Sequence, residues 1–502
     1  MTSLGFVDWL ICGGYLIVVL LLGLYFSREQ HSNEDFFVGG RTMHWLPIGL
    51  SLFAGTFSSL SFVGLPADAA YEDYHLLLGI LCIPLIVTPI IWFFFLPLFF
   101  RHHLTSVYEY IEWRFDRRLR LAASLLFLLY NIGWMGNLLR AVGVIMQAVL
   151  ELSDSETAWL LVGVGLFATF YTALGGVKAV VWTDALQAVS LGGGMLVVLL
   201  LAVDKIEGGW NTIIEVGQAH GKFDMFHTKF DFQHPNVYAA LAFGVFVYLA
   251  SHSVHFTAVQ RYVSMPDIKA ARKSLLVNGA MVGGVCGLFF VVGTVLFVFH
   301  HPPGDVAVSS GLFGEMAAAG TKDQLLPRFV MRELPVTGLM GLLLAGLFAA
   351  AMSSIDSGIN SMTASIVCDW LPNKEMQINL RLSRILCLVF GVIASALSVV
   401  IFYFGGQVFP LIMKIAGLFL GGILGVFVLG MLSRRANAPG ATIGLLAGAL
   451  GGAVAFQIEA SSFWFGAFTS VPTFIVGWLA SFAFPAPDPT QVERMLVRSW
   501  RE

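Results

Sequence analysis

The sequence predicts an all-α polytopic membrane protein with about 13 transmembrane helices, and three observations carry that expectation. First, 57% of the 502 residues are hydrophobic and only 12% are charged, with a mean hydropathy of +0.81. A soluble chain of this size has no interior large enough to hide so much apolar surface, so lipid must act as the solvent. Second, apolar runs of about 20 residues, long enough to cross a bilayer as helix, recur along the chain. Third, the most polar stretches lie inside those runs, where such groups are costly unless they line a cavity or an ion path.

The runs fall near 6–26, 45–69, 77–100, 119–150, 157–173, 178–203, 236–256, 274–300, 336–366, 380–404, 407–433, 438–457 and 462–484. The first is long, lacks a basic leader and runs into an ordinary loop, so it reads as a span and not as a cleaved signal. About twenty Lys and Arg fall to one side of the predicted membrane, among them Arg28, Arg114, Arg120, Lys178, Arg261, Lys269 and Arg434. About six fall to the other: Lys205, Lys222, Lys229, Lys322, Arg328 and Arg332. That asymmetry predicts a multi-pass plasma (inner) membrane protein with its N-terminus outside and its C-terminus in the cytoplasm.

Cys12, Cys82, Cys286, Cys368 and Cys387 show no metal or disulfide spacing and read as core thiols. The net charge of −3, with no basic block, gives no reason to expect nucleic acid. No nucleophile or metal partner accompanies His252 or His255, so an enzyme is not expected, and both histidines read as hydrogen-bonded core groups. The tail after residue 485 is too short for a signalling module, which argues against a solute-binding membrane sensor.

Two spans carry the chemistry. The second contains GLSLFAGTFSSLSFVGLP from Gly49, with Gly55, Thr56, Ser58, Ser59 and Ser61 at its middle and Pro66 following. Glycine and hydroxyl residues weaken a helix there, so a break near Gly55 is expected, and freed carbonyls at membrane depth can coordinate Na⁺. The ninth holds AAAMSSIDSGINSMT from Ala349. At helical spacing Ala350, Ser353, Ser354 and Ser357 share a face and offer neutral oxygens to a small hard cation. Asp356 in the same run makes simple helix–helix hydrogen bonding an insufficient account.

GGVKAVVWTDALQ at 175–187, QRYVSMPDIKAARKS at 260–274 and GLFAAAMSSIDSGINSMTAS at 346–365 resemble, in this order, the sodium:solute symporter family. The resemblance implies a LeuT-type fold: an extra N-terminal helix at 6–26, inverted five-helix repeats at 45–203 and 236–433, and two C-terminal helices at 438–484. It implies a first sodium site from the carbonyls of Ala54, Phe57 and Ala350 and the hydroxyls of Ser353 and Ser354. A second site, present in some relatives, maps to Asp184, Ser353, Asp356 and Ser357. Sialate carriers resemble this chain with serine at the position of Asp356, so the extra carboxylate either strengthens a second cation site or pairs with a basic group.

The same resemblance puts Thr56, Ser58, Ser61, Ile80 and Trp134 at substrate-facing positions. Ile80 stands where sugar and sialate carriers have a polar residue, and Trp134 where sialate carriers have an arginine. Arg140, about ten residues or roughly 15 Å from its helix end, and Lys414 are candidate ion-pair or anion-binding groups. The resulting expectation is a secondary active carrier with no cofactor, importing a small organic solute with Na⁺ across the lipid bilayer by alternating access. A proton-coupled carrier of the same fold is the alternative.

Overall fold

The computed structural model of the chain describes residues 5–102, 104–234, 236–301, 311–334, 336–371, 380–404 and 408–496, without the side chains of 311, 408–416, 491 and 494. Helices lie over all the predicted runs. They are α1 Phe6–Ser27, α2 Trp45–Thr56, α3 Ser59–Tyr71, α4 His75–Arg101, α5 Arg117–Leu150, α6 Asp154–Asp204, α7 Val237–Ser253 and α8 Phe256–Val263. They continue with α9 Ile268–His300, α10 Leu339–Trp370, α11 Leu380–Phe404, α12 Val408–Leu432, α13 Ala438–Gln457 and α14 Ser462–Ala483. Among the described residues, nine are long and apolar enough to cross a membrane singly, and the pairs α2/α3 and α7/α8 each pass as one bent span.

The runs predicted at 157–173 and 178–203 join in α6, whose 51 residues would reach about 76 Å if straight, more than twice the hydrocarbon thickness. The interruption is at Gly176, with φ +56° and ψ −158°. Only glycine takes that conformation at low cost, and a Cβ there would lie 2.8 Å from the Phe36 carbonyl. The paired glycines that open the 175–187 motif thus mark a real junction.

The break expected near Gly55 lies two residues later. Residue Thr56 ends α2, Phe57 and Ser58 are extended, and α3 leaves at 63° to α2. A second break, not foreseen, separates α7 from α8 at Val254–His255 with a 53° bend. Neither Gly nor Pro marks it. The helix α10 runs through the middle of the bundle, and every residue from Ala349 to Ser365 is buried, the polar ones included. At the C-terminal end of α3, the Lys222 ammonium donates to the carbonyls of Ala70 (2.8 Å) and Glu72 (2.7 Å), and burial lowers its pKa to about 8. Beside it Asp73 accepts from His75 at 2.6 Å and His227 at 2.5 Å.

Gly176→Ala is expected to lower stability by more than about 1 kcal/mol, because positive φ and the Phe36 carbonyl both oppose a Cβ. Thermal unfolding of the purified protein in detergent checks this; an unchanged Tm would show that the junction relaxes without cost.

Candidate functional site

Because α2 stops at Thr56, its last carbonyls lose their helical partners and face inward at the negative end of the helix dipole. One of them, Ala54, accepts from the Ser353 hydroxyl of α10 at 3.3 Å. Ala350 in turn accepts from Ser353 at 3.1 Å and Ser354 at 3.4 Å. Phe57 carries its carbonyl on the extended backbone of the break itself. Ala54, Ala350, Ser353 and Ser354 therefore converge from two helices, with Phe57 at the adjoining break. The oxygens are all neutral, a donor set suited to a hard monovalent cation.

One turn further along α10 the site becomes charged. Asp184 of α6, Asp356 of α10 and Arg261 of α8 are all buried. Arg261 Nη2 donates to Asp184 Oδ2 at 2.7 Å and to Ser357 Oγ at 2.6 Å, Nε donates to Ser51 at 2.5 Å, and Nη1 donates to the Thr257 carbonyl at 3.1 Å. The second oxygen of Asp184 has no hydrogen-bond partner among the described residues. Asp356 accepts from Tyr171 at 2.6 Å, from Thr183 at 3.4 Å and from Ser357 at 3.2 Å. Two carboxylates thus share a dry region with one guanidinium. Of the residues mapped to a second ion site, Asp184, Asp356 and Ser357 are brought together, while Ser353 turns toward Ala54 and Ala350.

The polar run of α10 serves several neighbours at once. Thr257 donates to Ser361 at 2.7 Å and Gln260 to Asn360 at 2.7 Å, so with Arg261 and Ser357 the helix α8 is fastened along one face of α10. In the Thr183-Asp184-x-x-Gln187 stretch, Gln187 donates to the Tyr15 hydroxyl of α1 at 3.0 Å. Hydrogen bonds to neighbouring helices thus run along much of α10, Ser353 included.

Between the two breaks lies a cavity. Thr56, Ser58, Ser61, Ile80 and Trp134 all line it. Trp134 packs beside Tyr130, with ring centroids 5.6 Å apart, and so forms wall as well as core. Arg261 and His255 line it too. Neither was anticipated as a site residue: Arg261 was counted with the loop charges, yet it is only 3% exposed. His252 is hydrogen-bonded as expected, to the Tyr248 carbonyl at 2.9 Å, but His255 Nε2 has no partner among the described residues. Arg140 is not among the cavity-lining residues, and the side chain of Lys414 lies outside the described residues.

A family model described as the sodium:solute symporter family matches residues 36–448. The chain belongs to the sodium:solute symporter family. The symporter is 30% identical over 496 residues to a sodium/sialic acid symporter of Aliivibrio fischeri, covering 96% of this chain and 94% of that one. It is 28% identical over 493 residues to the sodium/sialic acid symporter of Proteus mirabilis, covering 96% of each. A solved Na⁺-coupled sialic acid symporter, substrate-bound and outward-open, superposes with TM-score 0.86 at 27% identity, over 97% of this chain and 100% of that one. The symporter therefore has the LeuT-type fold, is an integral membrane protein, and is a sodium-coupled carrier and not an enzyme.

The charge balance gives a prediction. Arg261→Gln leaves two carboxylates buried without a base and is expected to cost about 3–5 kcal/mol, whereas Asp356→Asn keeps the Arg261–Asp184 pair and the fold. Thermal unfolding of both variants checks it; a well-folded Arg261→Gln protein beside a collapsed Asp356→Asn one would reverse the assignment.

Proposed function

We propose that this symporter imports a small organic solute with Na⁺ by alternating access, with the solute in the cavity between the breaks. The observation that carries the reading is the contact of Ser353 with the Ala54 carbonyl, because one cation there touches a broken helix and an intact one together. The ligands of this first site are Ala54, Phe57, Ala350, Ser353 and Ser354. Thr56, Ser58, Ser61, Ile80 and Trp134 contact the solute. Trp134, standing in place of an arginine, argues against a copy of the sialate pocket. We assign the inverted repeats to 45–203 and 236–433, thirteen crossings to the chain, an outer N-terminus and a cytoplasmic C-terminus. Each Na⁺ entering down the membrane potential supplies about 2.3 kcal/mol per 100 mV.

A second Na⁺ at Asp184, Asp356 and Ser357 is supported by the excess of carboxylates over guanidinium. The same excess favours the alternative, a proton carried on Asp356. Charge moved per solute in proteoliposomes separates the two. For a second Na⁺, Asp184→Asn or Asp356→Asn lowers the sodium Hill coefficient toward one; for a proton, transport in sodium-free buffer follows a pH gradient. A ratio unchanged in every folded variant leaves one Na⁺ per cycle.

Ser353→Ala and Ser354→Ala are each expected to weaken apparent Na⁺ affinity by about tenfold or more, since an oxygen contact to a charged group contributes roughly 1.5–3 kcal/mol. Solute affinity at saturating Na⁺ should change less. Sodium titration of uptake is the measurement, and wild-type sodium dependence in the double variant would limit the serines to packing.

A further inference from the structure

Away from the cavity between the breaks, the outer surface of the bundle carries a groove between α5, α12 and α13. Every side chain that lines it is Leu, Ala, Gly or Phe, among them Ala122, Leu125, Gly422, Ala449, Ala453 and Phe456. The helix α12 forms the floor, since it packs against both α5 and α13. Gly452 lets α13 close onto that floor, because a Cβ there would lie 2.5 Å from Leu418 Cδ1. Ala449 and Ala453 are exposed and too small to fill the space above it. Water finds no polar partner in such a groove, and an empty one forfeits the dispersion contacts of its walls. Along α13 the lining runs from Leu445 to Phe456, about 16 Å at helical rise, close to half of the ~30 Å hydrocarbon core.

The charge around the groove is one-sided. On α5, Arg118 precedes Ala122 and Leu125 by four and seven residues, so it continues their face about 6 Å toward the helix start. Arg117 adjoins it, and both are exposed. Arg114, one turn earlier in the chain, donates to the carbonyls of Gly430 at 3.1 Å and Ser433 at 2.6 Å. Those bonds hold the end of α12, and with it the exposed Arg434, beside the start of α5. Arg117, Arg118 and Arg434 make no ion pair among the described residues, and the neighbouring Asp116 is occupied in capping the Leu119 N–H at 2.8 Å. Past Phe456, at the opposite end of the groove, the exposed charge is Glu459.

We propose that the groove is a binding site for an anionic phospholipid, with one acyl chain lying between α5, α12 and α13 and the headgroup held by Arg117, Arg118 and Arg434. An apolar channel that ends in basic residues at one side and an acidic residue at the other matches the polarity of such a lipid and fixes its direction. A second copy of the chain fits less well. A two-fold contact across this face about an axis along the membrane normal would set the arginines of one copy against those of the other, and facing like charges oppose association.

The test uses the full chain, purified in detergent and stripped of lipid, with bound lipid read by native mass spectrometry and stability by thermal unfolding. Dioleoyl phosphatidylglycerol is compared with dioleoyl phosphatidylcholine, which has the same chains, and with glycerol 3-phosphate, which has none. The expected result is saturable binding and stabilisation by phosphatidylglycerol at a concentration about tenfold or more below that of phosphatidylcholine, the effect of two or more basic residues at an anionic headgroup. Glycerol 3-phosphate should not stabilise. Arg118→Gln should reduce the preference by severalfold, and Arg117→Gln with Arg118→Gln and Arg434→Gln should abolish it. Ala449→Phe and Ala453→Phe, at exposed positions that point no charge at the lipid, should each weaken binding of both lipids, while unfolding in lipid-free detergent reports that they fold. Equal binding of the two lipids, a preference that survives loss of all three arginines, or binding unchanged in both phenylalanine variants would overturn the proposal. So would a dimer in lipid-free detergent that Ala449→Phe dissociates, since a second copy would then be the occupant.

Discussion

The break between α2 and α3 at Phe57–Ser58 is the constraint on which the rest of the structure depends. In hydrocarbon an interrupted helix leaves carbonyls on one side and N–H groups on the other, and neither has water to turn to. The protein answers the carbonyl side with the hydroxyls of α10, where Ser353 meets Ala54. It leaves the N–H side open to the cavity, where α3 begins uncapped. One discontinuity thus leaves backbone groups of opposite polarity a residue or two apart, with the proposed cation ligands on the carbonyl side and the cavity on the other.

Charge deeper in the bundle follows the same rule. Arg261 bonds groups on α2, α6, α8 and α10 and packs close to Gly55, whose Cβ position is 3.2 Å from Nη2. A lysine has no planar fork with which to hold Ser51, Asp184 and Ser357 at once. Since the guanidinium is fully engaged with one carboxylate, the other depends on hydroxyl donors alone. That imbalance makes the region between Asp184 and Asp356 receptive to one more positive charge, whichever cation supplies it.

Much of this was legible in the sequence because it is written in residue types that hydrocarbon penalises. Apolar run length located the spans, and the gap between the runs at 157–173 and 178–203 fell at the junction inside α6. Thr56, Ser58, Ser61, Ile80 and Trp134, the positions expected to face substrate, line one cavity. What stayed hidden depended on three-dimensional neighbours. Arg261 sits in QRYVSMPDIKAARKS among other basic residues, so charge density alone reads it as a loop residue, although it lies on the buried helix α8. Its adjacency to Gln260, which reaches Asn360 of the serine-rich run, was the available signal. The second break had none, because SHSVHF contains neither glycine nor proline and its bend is set by tertiary packing.

The helix α10, which carries the proposed cation face, is held at both ends by its neighbours. Asp8 of α1 accepts the Gly341 N–H at 2.8 Å near the start of α10, and Cys12 lies 3.3 Å from the Gly341 carbonyl. At the other end of α10, Arg120 of α5 pairs with Asp369 at 2.8 Å and donates to the Cys368 carbonyl at 2.9 Å, while Ser124 meets Ser365 at 2.8 Å. The helix is therefore pinned at both ends by buried, charge-assisted bonds, the strong class in a low-dielectric interior. Across the cation face, by contrast, the bonds between α10 and α2 are long and neutral, 3.3 Å from Ser353 to Ala54. A joint that is weak by itself and bridged by an ion gains most from that ion. The proposed ion site thus lies where the broken helix meets the anchored one, and a coupling ion favours one conformation over another only through such a differential contact.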